Sequence, residues 1–292
     1  MASALTLSAR SECLIEALPY IQKFRGSTFV IKYGGSAMED EHQVDRLLRD
    51  IVFLEAVGIN PVVVHGGGKA ISANMREAGL TPQFVNGLRV TDALSVKIVE
   101  ETLDGEINPG IVASILRHGG HAIGLSGKTV FRSRRLAPVK TSSGLADYGF
   151  VGEVSHVSPE AVATAIAGEI MPVISPIGSE AGGQVLNINA DVAAAALAAA
   201  LKAAKLIFVS DVPGIMRDPA SPDSLIPSVT AEQTRALIKG KVIAGGMIPK
   251  VESAVRALEQ GVGKTHLIGG NVAHGLLVEI FSNAGIGTEI VP

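Results

Sequence analysis

The chain has 292 residues, of which 47% are hydrophobic, 18% charged and 4% aromatic, with a formal net charge of −3. This balance predicts a globular protein with a substantial core and excludes intrinsic disorder. The small negative charge gives no general attraction to nucleic acid or to an anionic membrane, and no apolar run in the sequence reaches the roughly 20 residues that span a bilayer. A single cysteine excludes an intrachain disulfide, and without a secretory-type leader the expected location is the cytoplasm.

Residues 1–26 precede the regular pattern and are predicted to form a helical extension. Its apolar positions fall on one face: Leu14, Ile15, Leu18, Ile21 and Phe24. Pro19 is expected to kink this helix because proline removes a backbone donor. The apolar stripe must be buried, either against its own domain or against another subunit.

From residue 27 onward, short β-branched runs alternate with segments of helical spacing, which is typical of a parallel sheet covered by helices on both faces. Strands are predicted at residues 28–33, 60–65, 121–125, 173–177, 206–210 and 265–268, and helices at 40–57, 190–204 and 250–261. Residues 128–155 predict a hairpin excursion, and the prolines of 217–229 predict a surface loop. A junction between two lobes is expected near residues 176–183.

Glycines follow the first predicted strand. Lys32 near its end is followed by Gly34 and Gly35. An ammonium group beside closely approaching backbone amides is typical of the ligand crevice at the carboxyl end of a parallel sheet. The same residues also suit an ordinary turn with a solvated lysine.

Three consecutive glycines, Gly66, Gly67 and Gly68, follow the second predicted strand and His65. Their amides can form a nest for an anion. HGGG also occurs in esterase oxyanion holes, but no serine here has the GxSxG elbow that such a hydrolase needs. The two GKT segments lack the earlier glycine of a P-loop, and no complete GxGxxG fingerprint follows a strand.

Polar residues flank two helices of the second half. Asn189 and Asp191 suit helix capping, while Asn187 and Asn189 share one side, where they can hydrogen-bond a ligand. Lys250 follows a glycine pair at a helix start, a place that disfavours a cation by under ~1 kcal/mol unless an anion lies beside it. The histidines are not clustered at metal-ligand spacing, so no protein-built metal site is expected.

Six segments carry a family resemblance: IKYGGSAM, VVVHGGG, GLRVTD, LNINAD, SDVPGIM and GGMIPK, in this order. Together they resemble the amino-acid kinase family, and within it the N-acetylglutamate kinases, over residues 12–290. The resemblance implies an α/β fold, a three-layer αβα sandwich with an open, mainly parallel central sheet. It also implies two lobes, residues 27–180 for the amino-acid substrate and residues 181–292 for ATP.

The resemblance implies transfer of the γ-phosphoryl group of ATP, with Mg²⁺ carried on its phosphates, to the γ-carboxylate of N-acetyl-L-glutamate in arginine biosynthesis. By motif match, Lys32 and Lys250 become clamps on the transferring phosphoryl group and Asp191 their organiser. Substrate contacts fall on Gly67, Gly68, Arg89, Asn187 and Asn189, and phosphate contacts on Gly34, Gly35 and Gly66. A carboxylate of pKa about 4.3 is already ionised at neutral pH, so no general base is needed. Catalysis then reduces to positioning and charge neutralisation.

The stretch EALPYIQKFRG resembles the extra helix of the arginine-inhibited, hexameric members of the family. This implies a homo-oligomer, a trimer of dimers interlaced by the helix, with L-arginine as a feedback inhibitor bound near it. Motif matching assigns to that site Tyr20, Lys205, His266, Glu279, Gly285 and Gly287.

Three features depart from the family pattern and put local nucleotide and effector contacts in doubt. Pro109 stands where lysine is expected, Gly269-Gly270-Asn271 replaces Asp-Gly-Arg, and FRSRRL is unusual for its hairpin. Two alternatives are a sister kinase acting on an aminoadipate derivative or a carrier-bound substrate, and a catalytically inert amino-acid sensor. The N-terminal helix argues against the first. The joint presence of both lysines and Asp191 argues against the second.

Overall fold

The computed structural model describes residues 7–38, 40–141, 144–283 and 285–292. The strands are β1 Thr28–Tyr33, β2 Asn60–His65, β3 Phe84–Val85, β4 Leu88–Arg89, β5 Ala122–Leu125, β6 Phe131–Arg135, β7 Val139–Thr141, β8 Gly144–Ala146, β9 Val151–Val157, β10 Met171–Ile174, β11 Ile177–Ser179, β12 Val185–Ile188, β13 Lys205–Ser210, β14 Ser228–Thr230, β15 Lys264–Gly269 and β16 Thr288–Val291.

The helices are α1 Leu7–Phe24, α2 Glu41–Ala56, α3 Gly68–Glu77, α4 Ala93–Glu100, α5 Asn108–Arg117, α6 Gly127–Val130, α7 Glu160–Ala167, α8 Ala190–Ala200, α9 Ala231–Lys239, α10 Met247–Glu259 and α11 Gly275–Phe281. Short 3₁₀ turns cover Gly35–Met38 and Pro222–Ser224, and a π-helical segment, Glu101–Ile107, joins α4 to α5. None of these described helices is long and apolar enough to cross a bilayer.

An eight-stranded sheet with the order β14-β16-β15-β13-β1-β2-β10-β5 forms the centre of the molecule. All neighbouring strands are parallel except β15 and β16. Because β1 and β13 are adjacent in the middle of the sheet, the first and second halves of the chain share one sheet. The predicted mainly parallel α/β fold is confirmed.

Alternating side chains of the buried strands enter two cores, one on each face of the sheet. Val30 of β1 belongs to the core formed with α8 and α10. Phe29 and Ile31 belong to the opposite core, formed with α2, α5 and α11. This alternation produces the three-layer sandwich, because each face of a fully buried strand must be covered.

The predicted excursion at residues 128–155 forms β6 to β9. Strand β6 pairs antiparallel with β9, β7 pairs with β8, and a small closed barrel contains β11, β12, β9 and β6. The strand predicted at residues 173–177 ends earlier, at Ile174, and Ile177 begins β11. Pro176 explains the break, since it lacks the N–H that a ladder needs.

The C-terminal end of helix α1 packs against its own chain. The Phe24 ring meets Phe29 edge-on at a centroid distance of 5.2 Å, and the helix contacts α11. Farther out, Leu14 and Ile15 are 72% and 67% exposed. In the single chain, the predicted stripe is therefore covered at one end and uncovered at the other.

Candidate active site

The alternation of β1 directs Lys32 to the face of the sheet that carries Val30, where α8 and α10 begin. Asp191 lies in the first turn of α8, and Lys250 in the first turn of α10. The Lys32 Nζ lies 2.8 Å from Asp191 Oδ1, and the Lys250 Nζ lies 3.1 Å from Asp191 Oδ2. One carboxylate therefore holds two ammonium groups that come from distant parts of the chain.

The ionisation of this trio follows from burial and mutual charge. Burial by itself would raise the pKa of the Asp191 carboxyl, but the two ammonium groups outweigh it and the pKa is lowered. Burial lowers the pKa of Lys250, as does the charge of Lys32, while Asp191 opposes both. With all three groups ionised the trio carries one unbalanced positive charge, which favours an anionic ligand.

The glycine turns after β1 and β2 touch each other beside this trio. A Cβ on Gly34 would lie 3.1 Å from the Gly66 Cα and 3.3 Å from the Lys32 Nζ. A Cβ on Gly67 would lie 2.6 Å from side-chain carbons of both Leu103 and Ile107 in the π-helical segment. The absence of a Cβ lets these segments approach so closely. The Gly66 N–H donates to the Tyr33 carbonyl at 2.7 Å, so the phosphate contact predicted for Gly66 cannot use that amide.

A cavity of about 220 Å³ opens between the glycines and the Asp191 end of α8. Its lining includes most of the residues assigned by resemblance to catalysis, substrate and phosphate: Lys32, Gly35, Gly66, Gly67, Gly68, Arg89, Asn187, Asn189 and Asp191. Gly34 is not among the lining residues, but it lies beside Gly66 and Lys32, which are. Lys250 is not among them either, but its ammonium group is bound to Asp191, which lines the cavity. The structure thus brings all the assigned residues of these three groups together.

Arg89 forms the far wall of the cavity. One guanidinium nitrogen, Nη2, donates to the Gly68 carbonyl at 2.6 Å and to the Ser72 hydroxyl at 2.8 Å. Its charged carbon lies 4.7 Å from the centre of the Phe84 ring. Within the described residues, no carboxylate pairs with this guanidinium. A buried guanidinium with an unused part of its donor fork is suited to bind a carboxylate.

The two asparagines line the same cavity. Asn187 donates from Nδ2 to the Thr91 hydroxyl at 3.2 Å. The Asn189 Oδ1 accepts from the amides of Asp191 and Val192 at 2.9 and 3.2 Å, and it is the N-cap of α8. The capping interpretation of Asn189 is therefore confirmed, and its Nδ2 group is left for a ligand.

A second cavity, of about 580 Å³, adjoins the trio on the other side of Lys250. Its walls are mainly apolar, and Asp211 is the carboxylate among its lining residues: Asp211, Val212, Pro213, Gly214, Ile215, Met216, Pro219, Val242, Ile243, Ala244, Gly246, Met247 and Lys250. Pro219, from the loop that was predicted at residues 217–229, supplies part of this wall. The loop ends earlier than predicted, because Ser228 begins β14. An apolar slot that ends at a lysine and a carboxylate suits a nucleotide.

A third cavity, of about 360 Å³, lies between the end of α1 and the α11 region, and all six residues assigned to the effector site line it. His266 is the centre of its hydrogen bonds. The Lys205 Nζ lies 2.7 Å from His266 Nε2, and His266 Nδ1 lies 2.6 Å from Glu279 Oε1. The second oxygen of Glu279 accepts from the amides of Ile286 and Gly287, and Tyr20 donates to Asn283.

Several site residues were not singled out from the sequence. Ser72 and Phe84 contact Arg89 but belong to no recognisable motif, so no local signal marks them. Asp211 had a signal, because it follows β13 directly, where parallel sheets place ligand-binding groups. Around the third cavity, charged residues at its rim were also missed: Lys23, Lys264 and Glu289.

Comparison with known proteins matches residues 27–269 to the amino acid kinase family. The acetylglutamate kinase of Akkermansia muciniphila is 50% identical, over 98% of this chain and 96% of that protein. That of Carboxydothermus hydrogenoformans is 47% identical, over 97% and 98%. That of Methanocaldococcus jannaschii is 48% identical, over 96% of each.

Solved structures agree in fold. N-acetylglutamate synthase from Neisseria gonorrhoeae, complexed with coenzyme A and N-acetyl-glutamate, superposes with a TM-score of 0.83 at 28% identity, over 97% of this chain. This chain spans only 63% of that protein's length. The same synthase with coenzyme A and L-arginine gives a TM-score of 0.80 at 26% identity, over 96% of this chain and 65% of that one. Carbamate kinase from Giardia lamblia, bound to AMP-PNP, shares the fold, with a TM-score of 0.66 at 19% identity over 91% of this chain and 98% of that one.

The family match and the near full-length acetylglutamate kinase relatives together show that the chain belongs to the amino acid kinase family.

Proposed function

We propose that the chain is an acetylglutamate kinase, which moves the γ-phosphoryl group of ATP to the γ-carboxylate of N-acetyl-L-glutamate in arginine biosynthesis. Its near full-length relatives carry this activity in their names. The observation that carries the proposal is an excess of buried positive charge around one cavity. Lys32, Lys250 and Arg89 are 7%, 9% and 6% exposed, with Asp191 as the one carboxylate among their described contacts.

Each wall of the cavity has a role in this proposal. Arg89 binds a carboxylate of the substrate that does not react, because its buried positive charge pairs with no carboxylate among the described residues. Both Nη2 hydrogens and one of Nη1 are donated to Gly68, Ser72 and Met75, so the contact uses the remaining N–H groups singly, as charge-assisted hydrogen bonds. Asn187 and Asn189 donate to the other polar groups of the substrate. The amides of Gly67 and Gly68 bind the reacting end. Gly34 and Gly35 place further amides beside the phosphates. The Gly66 N–H is already donated to the Tyr33 carbonyl, so Gly66 contributes the close approach of its backbone and not a free donor.

The chemistry needs no proton transfer. An ionised carboxylate oxygen attacks the γ-phosphorus, the bond to the β,γ-bridging oxygen breaks, and ADP leaves with that electron pair. Lys32 and Lys250 neutralise the charge on the transferring group, while Asp191 holds both ammonium groups in place without reorganisation. The nucleotide cavity is lined by residues 211–250, all within the predicted ATP lobe of residues 181–292. The substrate cavity is lined by residues of the predicted amino-acid lobe and also by Asn187, Asn189 and Asp191 of the other lobe, so both lobes contribute to it.

Mg²⁺ bound to the ATP phosphates would add charge neutralisation. No group of three or more His, Cys, Asp and Glu side chains forms a metal site within the described residues. Asp211 at the end of the nucleotide cavity supplies a carboxylate that suits the hydrated Mg²⁺ of a nucleotide. This donor set fits a metal that arrives with ATP.

The test is ATP turnover with N-acetyl-L-glutamate, N-acetylaminoadipate and glutamate as separate acceptors. We expect N-acetyl-L-glutamate to give the highest kcat/KM by at least tenfold. A preference for N-acetylaminoadipate would establish the sister kinase instead. No turnover with any acceptor, from a folded protein that binds ATP, would favour the inert sensor.

We also propose that L-arginine inhibits the enzyme from the third cavity and that the chain assembles as a trimer of dimers. The support is chemical, because Glu279 offers a buried carboxylate to a guanidinium, and the α1 residue Tyr20 lines the same cavity. The uncovered stripe of α1 supports assembly with another copy. A cytoplasmic location is consistent with the proposal, because a biosynthetic kinase needs a supply of ATP.

A further inference from the structure

His65 lies fully buried at the base of the glycine turn, on the side of β2 opposite the Val62 and Val64 side chains. No role in the proposed reaction has been assigned to it. Its ring contacts the turn directly, because His65 Nδ1 lies 2.9 Å from the carbonyl oxygen of Gly66. On the other side, His65 Nε2 lies 3.2 Å from the Asn108 Nδ2 at the start of α5.

These contacts define which nitrogen carries the proton. A carbonyl oxygen can only accept, so Nδ1–H donates to Gly66. Asn108 donates one hydrogen to Nε2 and the other to the Val173 carbonyl, at 2.9 Å. The Asn108 Oδ1 lies against Gly124, where a Cβ would be only 2.1 Å away. The ring is therefore the neutral Nδ1–H tautomer, held by its neighbours.

Burial lowers the pKa of His65 to about 4, against the opposing effects of the Gly66 carbonyl and the Asp104 carboxylate. The ring therefore stays neutral at physiological pH, and the tautomer does not change. Asp104, in the π-helical segment, is the charged group that acts on it.

Both backbone groups of Gly66 are occupied. Its N–H donates to the Tyr33 carbonyl at 2.7 Å, and its C=O accepts from His65. In a trans peptide the C=O of Gly66 and the N–H of Gly67 point in opposite directions. A carbonyl held towards the interior thus turns the Gly67 amide towards the cavity that Gly67 lines. That amide donates to no group in the described part of the chain.

We infer that His65 and Asn108 are positioning residues, which hold the Gly66–Gly67 peptide so that the Gly67 amide is ready to donate to an anionic oxygen in the cavity. A peptide between two glycines rotates easily, because no Cβ restricts it. A hydrogen-bond donor that is already in position needs no reorganisation when negative charge develops on the oxygen that it contacts. This inference rests on the proposed function, since Gly67 binds the reacting end of the substrate there.

Two amide substitutions separate this role from simple packing. The amide of asparagine can occupy the place of Nδ1 and donate to Gly66. The amide of glutamine reaches the place of Nε2 and leaves the Gly66 carbonyl without its donor. We expect His65→Asn to keep kcat within about fivefold of the wild type, and His65→Gln to lower kcat about 100-fold, the loss typical of one missing oxyanion donor. A packing role would favour glutamine, which fills more of the buried space.

The experiment measures kcat and KM for both substrates, together with the thermal unfolding midpoint of each variant. Equal activity of the two variants, or a better glutamine variant, would overturn the inference. A side-chain ¹⁵N spectrum of the wild type gives a readout that needs no substrate. We expect Nδ1 protonated, Nε2 unprotonated and neither changing from pH 5.5 to 9, whereas the opposite tautomer would also overturn the inference. A wild type inert towards N-acetyl-L-glutamate would instead contradict the proposed function, and the spectrum would still decide the peptide geometry.

Discussion

Buried charge is costly unless it is paired, so Lys32, Asp191 and Lys250 are the least replaceable residues of the site. Their arrangement is asymmetric, since Lys32 pairs with Oδ1 of Asp191 while Lys250 lies within reach of both oxygens. Among the described residues, Asp191 is the one carboxylate that pairs with either ammonium group. Without a ligand, the unbalanced positive charge of these three residues lies in a partly open cavity. A bound phosphate would remove it, which links ligand binding to the charge of the site.

Lys32→Ala and Lys250→Ala should each lower kcat at least about 100-fold, because each removes a charge that stabilises the transferring phosphoryl group. Each variant keeps one lysine paired with Asp191, so the thermal unfolding midpoint should shift by only a few degrees. Lys202→Ala, at an exposed position beyond α8, is the control and should keep wild-type turnover. Turnover within a few-fold of wild type in either site variant would contradict the assigned roles.

A further buried lysine, Lys205, makes the free energy of unfolding depend on pH. Burial lowers the pKa of Lys205 to about 8, and the charge of Lys264 adds to this, while Glu279 and Glu289 oppose it. The unfolded lysine keeps its proton to higher pH, so between pH 8 and 10 the unfolded state binds more protons than the folded state. The free energy of unfolding should therefore rise with pH in that interval, by up to about 3 kcal/mol from this group.

The difference between the wild type and Lys205→Met isolates this contribution from other titrating groups. Denaturant unfolding at pH 7.5, 8.5 and 9.5 should show the variant gaining stability relative to the wild type at the lowest pH and losing that advantage as pH rises. Lys202→Met is the exposed control and should follow the wild type. A pH-independent difference would contradict the lowered pKa.

At the scale of elements, α8 links stability to the site, because the residue that caps the helix also positions its first turn. Asn189 accepts from the amides of Asp191 and Val192. Loss of this cap would free two half-buried donors and loosen the backbone that carries the Asp191 carboxylate. In the proposed reaction, one side chain would thus both cap α8 and position Asp191.

Asn189→Ala should cost about 1 kcal/mol of unfolding free energy, the usual cost of a lost N-cap, and should also lower kcat/KM for the amino-acid substrate. Thr230→Ala is the matched control, since Thr230 caps α9 in a capping box away from the cavity. It should lose similar stability with little change in turnover. Equal effects of the two substitutions on kcat/KM would mean that Asn189 acts only as a cap.

At the scale of the whole molecule, the uncovered part of α1 is the feature that the single chain does not explain. Leu14, Ile15 and Leu18 remain exposed, while the end of the helix lines the third cavity through Tyr20 and Phe24. Burial of a leucine or isoleucine side chain is worth about 1.5–3 kcal/mol. The same helix can therefore join assembly to effector binding.

Deletion of residues 1–25 should convert a hexamer to a dimer and abolish inhibition by arginine while ATP turnover remains. Gel filtration with light scattering and inhibition curves measure the two effects. Leu14→Ser with Ile15→Ser should weaken assembly, and Leu145→Ser, at a leucine that is 70% exposed on the β7–β8 hairpin, is the control. An unchanged dimer with and without the segment would end the assembly proposal.

Local signals in the sequence were sufficient for most of the fold. The β-branched runs located β1 and β2 to the residue, because a buried parallel strand requires continuous apolar side chains between turn residues. Ordered motifs then singled out the lysines, the glycine turns and Arg89, which the fold brings around one cavity, while their chemical roles stay predictions. The ends of β10 and α8 were less well predicted, since Pro176 and the left-handed backbone of Lys202 (φ 48°) end them within otherwise apolar runs.

What the sequence by itself determined was the α/β class, its family and the residues that carry charge at the ends of strands and helices. Only the tertiary structure decided which side chains meet: His65 with Asn108, Arg89 with Ser72, and the π-helical segment with Gly67. The reason is physical. Periodicity and turn chemistry act between neighbours along the chain, whereas a contact across 17 to 43 residues depends on how whole elements pack, and no local pattern encodes that distance.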